Sequence, residues 1–336
     1  MILTVTDDRL VLAFDVGGTT IRAGIYDPGT DAISREVRAA TRNAAAAPGI
    51  DARLLIGRLS DDLTGLARIV WPEEPGPAQV AIAFPGPLSP RGDVLALPTV
   101  LGAAGTAGLR VPDLLLLPRP DMRVVVLNDV TAAGHAVMRE PGESFCIVTV
   151  SSGIGMKLFI DGKAVVGPYG RGGEIGHVVV AQGRDAHPCD CGGSGHLGSV
   201  ASGRGVLASA RRRMHSGDLP FDGQHRLDEY AIAEAFRAEQ AWAIDLIAES
   251  AGYLGRVLAC VHTATGVERF VIVGGFAVAL GDPYREILAA AAAESCWDLG
   301  QSWPHMIELV DLHDQAGMLG AGRYLVSEKE AASHAC

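Results

Sequence analysis

Three short segments of this chain combine residue types that handle phosphate, sugar hydroxyls and metal ions. Phe14–Thr20 reads FDVGGTT, an apolar strand that reaches Asp15 and passes into a glycine turn. Gly173–His177 reads GEIGH and Cys189–His196 reads CDCGGSGH, so a carboxylate precedes cysteines and histidines at metal-ligand spacing. Glycine lets a backbone approach a phosphate closely and aim N–H groups at it. Together the segments predict a phosphotransferase whose substrate pocket is stabilised by a metal site.

Two aspartates stand at the ends of apolar strands, where α/β sheets bind ligands. Asp15 follows the first strand, and a single carboxylate of this kind suits a hydrated Mg²⁺. Asp129 follows Asn128 at the predicted start of a helix, where it could accept the proton of a hydroxyl that attacks a γ-phosphate. The alternatives are a tight hairpin at Asp15 and simple helix capping by the Asn128-Asp129 pair.

The spacing of cysteines and histidines predicts a structural zinc site. Cys189, Cys191 and His196 lie in one glycine-rich loop and His177 lies upstream, which supplies four nitrogen and sulfur donors. His187 is a competing ligand for the same ion. The alternative is that the two cysteines are free thiols and the histidines are unrelated to them.

Length, charge and hydropathy limit the function classes. The chain has 336 residues, enough for two lobes, with a formal net charge of −11 and a mean hydropathy of +0.23. The acidic balance disfavours nucleic acid and anionic membranes as partners. No apolar run approaches the ~18 residues of a membrane span, and Met1–Arg9 has no basic secretory region. We therefore expect a cytoplasmic protein with reduced cysteines.

The elements that must position these residues alternate between strands and helices, which is typical of an α/β fold. Val11–Asp15 and Thr20–Asp27 read as strands on either side of the first glycine turn. Phe145–Val150 and Met156–Ile160 repeat that layout around a second turn, Ser151–Gly155. We therefore predict an internal duplication, with one strand–glycine-turn–strand unit in each of two lobes.

Apolar residues at helical spacing predict helices over Leu54–Trp71 and Asp228–His262, and a final helix from Ala316. Phe270–Val273 reads as a strand that runs into Gly274-Gly275. Because these glycines have no side chains, they could let an adenine ring approach the backbone. The alternative is an ordinary turn at the end of a strand.

Taken together, these segments resemble the ROK family (repressor, open reading frame, kinase), in particular its ATP-dependent glucokinase-like sugar kinases. The resemblance covers nearly the whole chain. The matching segments, in order, are Asp15–Thr19 (DVGGT), Phe84–Pro87 (FPGP), Asn128-Asp129, Gly173–His177 with the cysteine loop, Val273–Gly275 (VGG) and His313–Gly317 (HDQAG).

The resemblance implies an actin-like ATPase fold of two lobes with a cleft between them. It implies a smaller N-terminal lobe over residues 1–127, onto which a C-terminal helix over 316–336 packs back. The larger lobe, over residues 128–315, would carry a zinc-binding loop at 177–196 and nucleotide-binding elements. ATP, Mg²⁺ and Zn²⁺ are the implied cofactors, the implied reaction is phosphorylation of a sugar at its 6-hydroxyl, and the implied assembly is a homodimer.

The resemblance also implies functions for individual residues, with Asp129 as the general base. The residues implied to contact the sugar are Asn128, Thr99, Glu174 and His177. The residues implied to bind ATP and Mg²⁺ are Asp15, Gly17, Gly18, Thr19, Thr20, Ser152, Gly153, Gly274 and Gly275. The implied zinc ligands are His177, Cys189, Cys191 and His196.

The chain departs from the family pattern in its sugar-binding residues. His196 stands where a third cysteine is usual, Gly198 replaces a sugar-contacting glutamate, and Thr99 replaces an asparagine. A lost carboxylate changes which hydroxyl or amine can be satisfied. This predicts a modified hexose, and the amino hexose kanosamine, phosphorylated at O6, is the specific hypothesis. An N-acyl hexosamine is another candidate acceptor, and a non-catalytic sugar-binding regulator is the alternative function.

Overall fold

The structure is a computed structural model that describes residues 8–47, 49–72, 76–102, 105–106, 108–117, 119, 121–217, 219 and 227–334. The predictions for the first seven residues and for the last two, including Cys336, lie outside the described residues. The chain divides into two units. Unit 1 contains Met1–Arg139, Val166–Gly172 and His313–Cys336, and unit 2 contains Glu140–Val165 and Gly173–Leu312.

The two units contain sheets of the same topology. In chain order the strands are β1 (Val11–Val16), β2 (Thr20–Asp27), β3 (Ala32–Ala40), β4 (Gln79–Phe84), β5 (Arg123–Asn128), β6 (Phe145–Val150), β7 (Ile154–Ile160), β8 (Lys163–Ala164), β9 (Phe270–Val273) and β10 (Ile307–Leu309). The order is β3-β2-β1-β4-β5 in unit 1 and, correspondingly, β8-β7-β6-β9-β10 in unit 2. In unit 1, β1, β2 and β3 pair antiparallel, and β4 and β5 run parallel to β1. In unit 2, β6, β7 and β8 pair antiparallel in the same way, and β9 and β10 run parallel to β6. The predicted α/β fold and duplication are confirmed.

Helices cover the sheets. In chain order they are α1 (Ala52–Val70), α2 (Pro98–Leu101), α3 (Asp129–Val137), α4 (Leu197–Ala201), α5 (Gly203–Ser216), α6 (Glu229–Arg237), α7 (Ala241–Thr265), α8 (Gly275–Leu280), α9 (Asp282–Glu294), α10 (Trp303–Met306) and α11 (Ala316–His334). Three single 3₁₀ turns span Val111–Leu114, Ile175–His177 and Gly183–Asp185. Among the described residues, no helix has both the length and the apolar character that crossing a bilayer requires.

The central strand β1 is buried because helices pack on both faces of its sheet. Successive side chains of a strand point to opposite faces. Leu12 and Phe14 therefore join one core with α1, whereas Val11 and Ala13 join another with α3 and α11. This double anchoring fixes the end of β1, where Asp15 and the first glycine turn begin.

Two elements differ from the sequence predictions. The helix predicted over Asp228–His262 is two helices, α6 and α7, because the chain turns between them at Glu239, whose φ is +55°. β3 was not predicted, since this edge strand is largely exposed and carries Arg35, Glu36 and Arg38 instead of an apolar alternation. In contrast, α1 and α11 are confirmed, as is the helix that begins at Asp129.

The sequence assigned Asn128 and Asp129 to the second lobe, whereas in the structure they belong to unit 1. The physical reason is that α3 continues directly from β5 and packs against α11. Gly320 of α11 illustrates how closely these helices pack, since a Cβ built there would lie 1.8 Å from the carbonyl oxygen of Ala132. The ends of β1 and β5 therefore belong to the same unit.

Candidate active site and Cys/His cluster

The first glycine turn joins β1 to β2, and its own hydrogen bonds fix its shape. The N–H of Gly17 donates to the carbonyl of Thr20 at 2.9 Å, and the Thr41 hydroxyl donates to the Gly17 carbonyl at 2.7 Å. The N–H groups of Gly18 and Thr19, at the tip, make no hydrogen bond to another residue within the described part of the chain. These two N–H groups are the ones that the turn can offer to a phosphate, whereas that of Gly17 is used internally.

The predicted substrate residue Thr99 lies against this turn. It belongs to the short helix α2, and a Cβ built on Gly18 would lie 3.2 Å from the Thr99 Cβ. The Asn43 amide also donates to the Gly18 carbonyl at 2.7 Å. Gly18 therefore permits a close approach between the turn and α2.

Asp15 lies in a cluster of carboxylates around one arginine. Arg22 Nη1 lies 3.5 Å from Asp15 Oδ2, and its Nη2 donates to Asp314 Oδ1 at 3.0 Å. Arg38 also binds Asp314, at 2.7 Å. Burial raises the pKa of Asp15 to about 6; Arg22 opposes the rise, and the charges of Asp129 and Asp314 add to it. The ends of β1 and β5 and the start of α11 thus form an acidic site that suits a cation.

Asn128 both caps α3 and orients Asp129. Its Oδ1 accepts hydrogen bonds from the N–H groups of Val130 and Thr131 at 3.1 and 3.3 Å. Its Nδ2 donates to Asp129 Oδ1 at 2.8 Å and to the Gly86 carbonyl at 3.0 Å. The capping interpretation is therefore confirmed, and it does not compete with a catalytic one, because the same amide holds the carboxylate of Asp129.

Gly317, in the HDQAG motif, lies directly against Asp15. A Cβ built on Gly317 would lie 2.5 Å from Asp15 Cγ and 2.6 Å from its Oδ1. Gln315 in the same motif donates to Glu36 Oε2 at 2.6 Å. The family resemblance includes this motif but implies no function for its residues, and the sequence analysis assigned no function to Arg22 or Asp314.

The second turn, Ser151–Gly153, joins β6 to β7 in unit 2. Ser151 N–H donates to the carbonyl of Gly153 at 3.0 Å, a bond that closes this turn one residue earlier than the Gly17–Thr20 bond closes the first. Arg204 Nε donates to the carbonyl of Ser152 at 2.8 Å, and its Nη1 lies 2.7 Å from Asp190 Oδ2. Arg204, which sequence reasoning missed, therefore connects the predicted phosphate turn to the residue between the two cysteines.

Gly274, at the end of β9, sits close to the end of β6. Its φ is +104°, and a Cβ built there would lie 2.7 Å from the Val150 carbonyl oxygen and 2.9 Å from Thr149 Oγ1. Gly275, which begins α8, has open space at its Cβ position. The structure therefore explains Gly274 by strand packing and leaves room beside Gly275.

Glu174 forms an ion pair with a buried lysine. Lys157 Nζ lies 3.0 Å from Glu174 Oε1, and the exposed fractions of the two side chains are 3% and 37%. Sequence reasoning missed Lys157, although a charged residue inside the apolar strand β7 is a recognisable signal.

The four predicted metal ligands come together in unit 2. His177, Cys189, Cys191 and His196 each offer one ligand atom, and these atoms all lie within 4.8 Å of one another. Cys189 Sγ lies 3.7 Å from His177 Nδ1, and Cys191 Sγ lies 3.3 Å from His196 Nδ1. The five cysteines among the described residues form no disulfide. The cluster could hold one ion.

His187 does not join this cluster. It is buried, and its Nε2 contacts Arg212 and lies 3.3 Å from Ser209 Oγ. Burial lowers the pKa of His187, and the nearby Arg212 lowers it further. Of the two candidate histidines, His196 is therefore the one that the structure groups with the cysteines.

Comparisons with known proteins identify the family to which this arrangement belongs. Residues 11–328 match the sequence profile of the ROK family. The chain is 37% identical over 339 residues to a C(7)-cyclitol 7-kinase of Streptomyces hygroscopicus subsp. jinggangensis, a match that covers 96% of this chain and 95% of the relative. It is 30% identical over 327 residues to an N-acetylmannosamine kinase of Escherichia fergusonii, covering 95% and 99% respectively.

A solved structure is similar over nearly the whole chain. The crystal structure of a ROK hexokinase from Thermus thermophilus matches with a TM-score of 0.69 at 26% identity, and the match covers 95% of this chain and 99% of that one. The predicted actin-like fold, with one duplicated sheet per unit, is therefore confirmed.

Proposed function

We propose that this chain, which belongs to the ROK family, is an ATP-dependent kinase that phosphorylates a hydroxyl group of a small cyclic polyol. Kinase relatives that match over almost the full chain support sugar kinase activity. The observation that carries the proposal is the position of Asp129. Its carboxylate is oriented by Asn128 and lies close enough to Asp15 to raise the pKa of that residue.

In this proposal Asp129 is the general base. It accepts the proton of the acceptor hydroxyl as the hydroxyl oxygen forms a bond to the γ-phosphorus and the bond to ADP breaks. Hydrogen bonds from Asn128 Nδ2 and from the Val130 N–H to Asp129 Oδ1 hold the carboxylate in one orientation. A positioned base contributes ~10²–10⁴-fold to the rate, and phosphate positioning contributes much of the remainder.

The donor set around Asp15 fits Mg²⁺, which prefers one or two carboxylates and several waters. Burial raises the pKa of Asp15, Arg22 opposes the rise, and the charges of Asp129 and Asp314 add to it, so a divalent cation would stabilise the ionised carboxylate there. Bound Mg²⁺ neutralises charge on the phosphates during transfer. We propose that the phosphates of ATP contact the backbone N–H groups of Gly18 and Thr19.

We assign further nucleotide contacts in unit 2 from the family resemblance. The residues proposed for these contacts are Ser152 and Gly153 in the second turn and Gly274 and Gly275 after β9. The open space at the Cβ position of Gly275 supports an approach of the nucleotide there, whereas the packing of Gly274 on β6 supports a structural requirement for glycine.

We propose that the Cys/His cluster binds Zn²⁺. In a tetrahedral site, zinc–sulfur bonds of about 2.3 Å and zinc–nitrogen bonds of about 2.0 Å place a cysteine sulfur and a histidine nitrogen about 3.5 Å apart. The observed sulfur–nitrogen pairs, at 3.7 and 3.3 Å, fit this value. A closed set of two thiolates and two imidazoles would be structural and would hold His177 and the neighbouring Glu174 in place.

The acceptor is proposed from the relatives and from the altered residues together. The more similar relative is named as a cyclitol kinase at 37% identity, against 30% for the N-acetylmannosamine kinase. A C7-cyclitol is therefore the first acceptor to test, ahead of hexoses and of the amino hexose predicted from the sequence. Phosphorylation at a 6-hydroxyl, a homodimer and a cytoplasmic location stay predictions.

The test is a coupled ADP-release assay with MgATP and a panel that contains a C7-cyclitol, glucose, N-acetylmannosamine and kanosamine. Asp129→Asn keeps the side-chain shape and should reduce kcat by ~10²–10⁴-fold. Asp51→Asn is the matched control, because the Asp51 carboxylate also accepts a backbone N–H at a helix start, that of α1, but has no proposed catalytic function. Near-normal kcat in Asp129→Asn would refute the assignment, and no turnover with a folded protein would favour a sugar-binding regulator.

A further inference from the structure

Lys157 occupies a position that lysine rarely occupies in proteins. The chain has only three lysines, and this one lies in the middle of β7 with 2% of the residue exposed. Lysine is almost never fully buried unless it is paired. Its partner here is Glu174, which the family resemblance implies as a contact to the acceptor. The burial therefore requires an explanation that involves Glu174.

Backbone packing fixes Glu174 above this lysine. Gly173 has a φ of +86°, and a Cβ built there would lie 2.4 Å from the Met156 carbonyl oxygen and 3.0 Å from Lys157 Cδ. A Cβ on Gly176 would lie 2.3 Å from the Ile154 carbonyl oxygen. Side chains at either glycine would push the segment away from β7. The segment around Glu174 is therefore held against the strand that carries Lys157.

The ion pair is asymmetric. The lysine ammonium is buried, whereas the glutamate side chain remains 37% exposed, so one face of the carboxylate points away from the lysine. A carboxylate with one oxygen on an ammonium still accepts a hydrogen bond from a hydroxyl through its remaining lone pairs. Its negative charge, however, is already balanced. The pair therefore offers a hydrogen-bond acceptor without net charge.

We propose that Lys157 is a specificity-determining residue, which balances the charge of Glu174 so that the acceptor site selects a neutral polyol over a protonated amino sugar. The inference rests on the proposed function. A substrate ammonium near Glu174 would find a carboxylate that is already paired and would lie close to the buried ammonium of Lys157, which disfavours binding. A hydroxyl or an N-acyl group carries no such charge. Protonated kanosamine should consequently be a poor substrate.

The test compares kcat/KM for two matched pairs of acceptors in wild type and Lys157→Met. The pairs are glucose with 3-amino-3-deoxyglucose, and N-acetylmannosamine with mannosamine, at a pH where each amine is protonated. Wild type should prefer the neutral member by about tenfold or more. Lys157→Met should reduce this preference by about tenfold, mainly through KM. Lys157→Arg keeps the charge and should retain the preference.

Lys163→Met is the matched control, because Lys163 is an exposed lysine on the next strand, β8, and its replacement should leave the preference unchanged. If Lys157→Met does not fold, Glu174→Gln tests the same balance from the other side. It removes the carboxylate charge that lies 3.0 Å from the ammonium, so the preference for the neutral acceptor should increase.

Two results separate this inference from the proposed function. If a neutral acceptor is turned over, and the ratio of kcat/KM for the neutral acceptor to kcat/KM for the amine is the same in wild type and Lys157→Met, the inference alone is overturned. A wild type that prefers the amine would overturn it as well. Absence of turnover would refute the kinase proposal, and the affinities of the same acceptors, measured by calorimetry, would then test the charge selectivity directly. Absence of both turnover and binding would overturn both.

Discussion

Replacing Gly317 by alanine should lower activity while the protein stays folded. Gly317 is the second residue of α11, and an added Cβ would lie 2.5 Å from Asp15 Cγ and 2.6 Å from Asp15 Oδ1. Carbon atoms in contact normally lie about 3.5–4.0 Å apart, so the carboxylate or the start of α11 must move by about 1 Å. Arg22, 3.5 Å from Asp15 Oδ2, limits the movement of the carboxylate.

The expected loss of activity follows from this displacement. A misplacement of about 1 Å in a site that positions reacting groups can cost about 10²-fold in rate. The stability terms oppose each other, because overpacking costs about 1–3 kcal/mol and alanine gains about 0.5–1 kcal/mol over glycine inside a helix. We therefore expect a Tm within a few degrees of wild type and a fall of about 10²-fold in kcat/KM for MgATP.

Two other helical glycines provide controls. At Gly320 an added Cβ would lie 1.8 Å from the carbonyl oxygen of Ala132, so Gly320→Ala must separate α11 from α3 and should lower Tm clearly. At Gly65 an added Cβ would meet no heavy atom within 4 Å apart from its chain neighbours and the backbone of its own helix, so Gly65→Ala should raise stability by about 0.5–1 kcal/mol without changing activity. Wild-type kcat/KM in Gly317→Ala, or a loss of activity that merely follows a loss of Tm as in Gly320→Ala, would refute the reasoning.

Two further predictions concern the Cys/His cluster, as a proposed zinc site, and the buried carboxylate of Asp15. Chelation, or Cys191→Ser, should lower Tm and raise KM for ATP, because Arg204 connects Asp190 in the cluster loop to the Ser152 carbonyl in the second turn. Metal content and KM are measured on the same samples. An unchanged KM after metal loss would contradict the connection. The raised pKa of Asp15 means that the folded state binds this proton more tightly than the unfolded chain, so stability should fall as pH rises from about 4 to about 6. In buffer without Mg²⁺, Asp15→Asn should therefore be roughly 2 kcal/mol more stable than wild type at pH 7 and equal to it near pH 4. Urea denaturation at both pH values measures this difference. Equal stability of the two proteins at pH 7 would contradict the prediction.

Local signals in the sequence were sufficient for much of the fold. Both glycine turns, the strands beside them and the helix that begins at Asp129 were predicted correctly, because apolar runs and glycine turns act through neighbouring residues. The edge strand β3 was missed, since its pairing with β2 fixes it rather than an apolar pattern of its own. The break between α6 and α7 was missed because Glu239 adopts a positive φ, which is uncommon for glutamate and could not be predicted from the residue type.

The candidate site was predictable only where a motif carries the chemistry within a few consecutive residues. Asn128-Asp129 and the loop from Cys189 to His196 are of this kind. Arg22 and Asp314 are not, because they are 292 residues apart and meet only when α11 returns to the sheet of unit 1. Their effect on the pKa of Asp15 depends on burial and on distances in the fold, which cannot be predicted from the spacing of residues in the sequence.

The pair of Lys157 and Glu174 makes the same point for substrate choice. From the sequence, Glu174 was interpreted as an acceptor for sugar hydroxyls, and the amino hexose was predicted from the altered residues Thr99 and Gly198. The structure adds a buried ammonium 3.0 Å away, which balances the charge of the carboxylate. Burial makes this balance effective, since a charge removed from water is screened less than an exposed one. A prediction of substrate from motif residues alone therefore omits any neighbour in the fold that balances their charge.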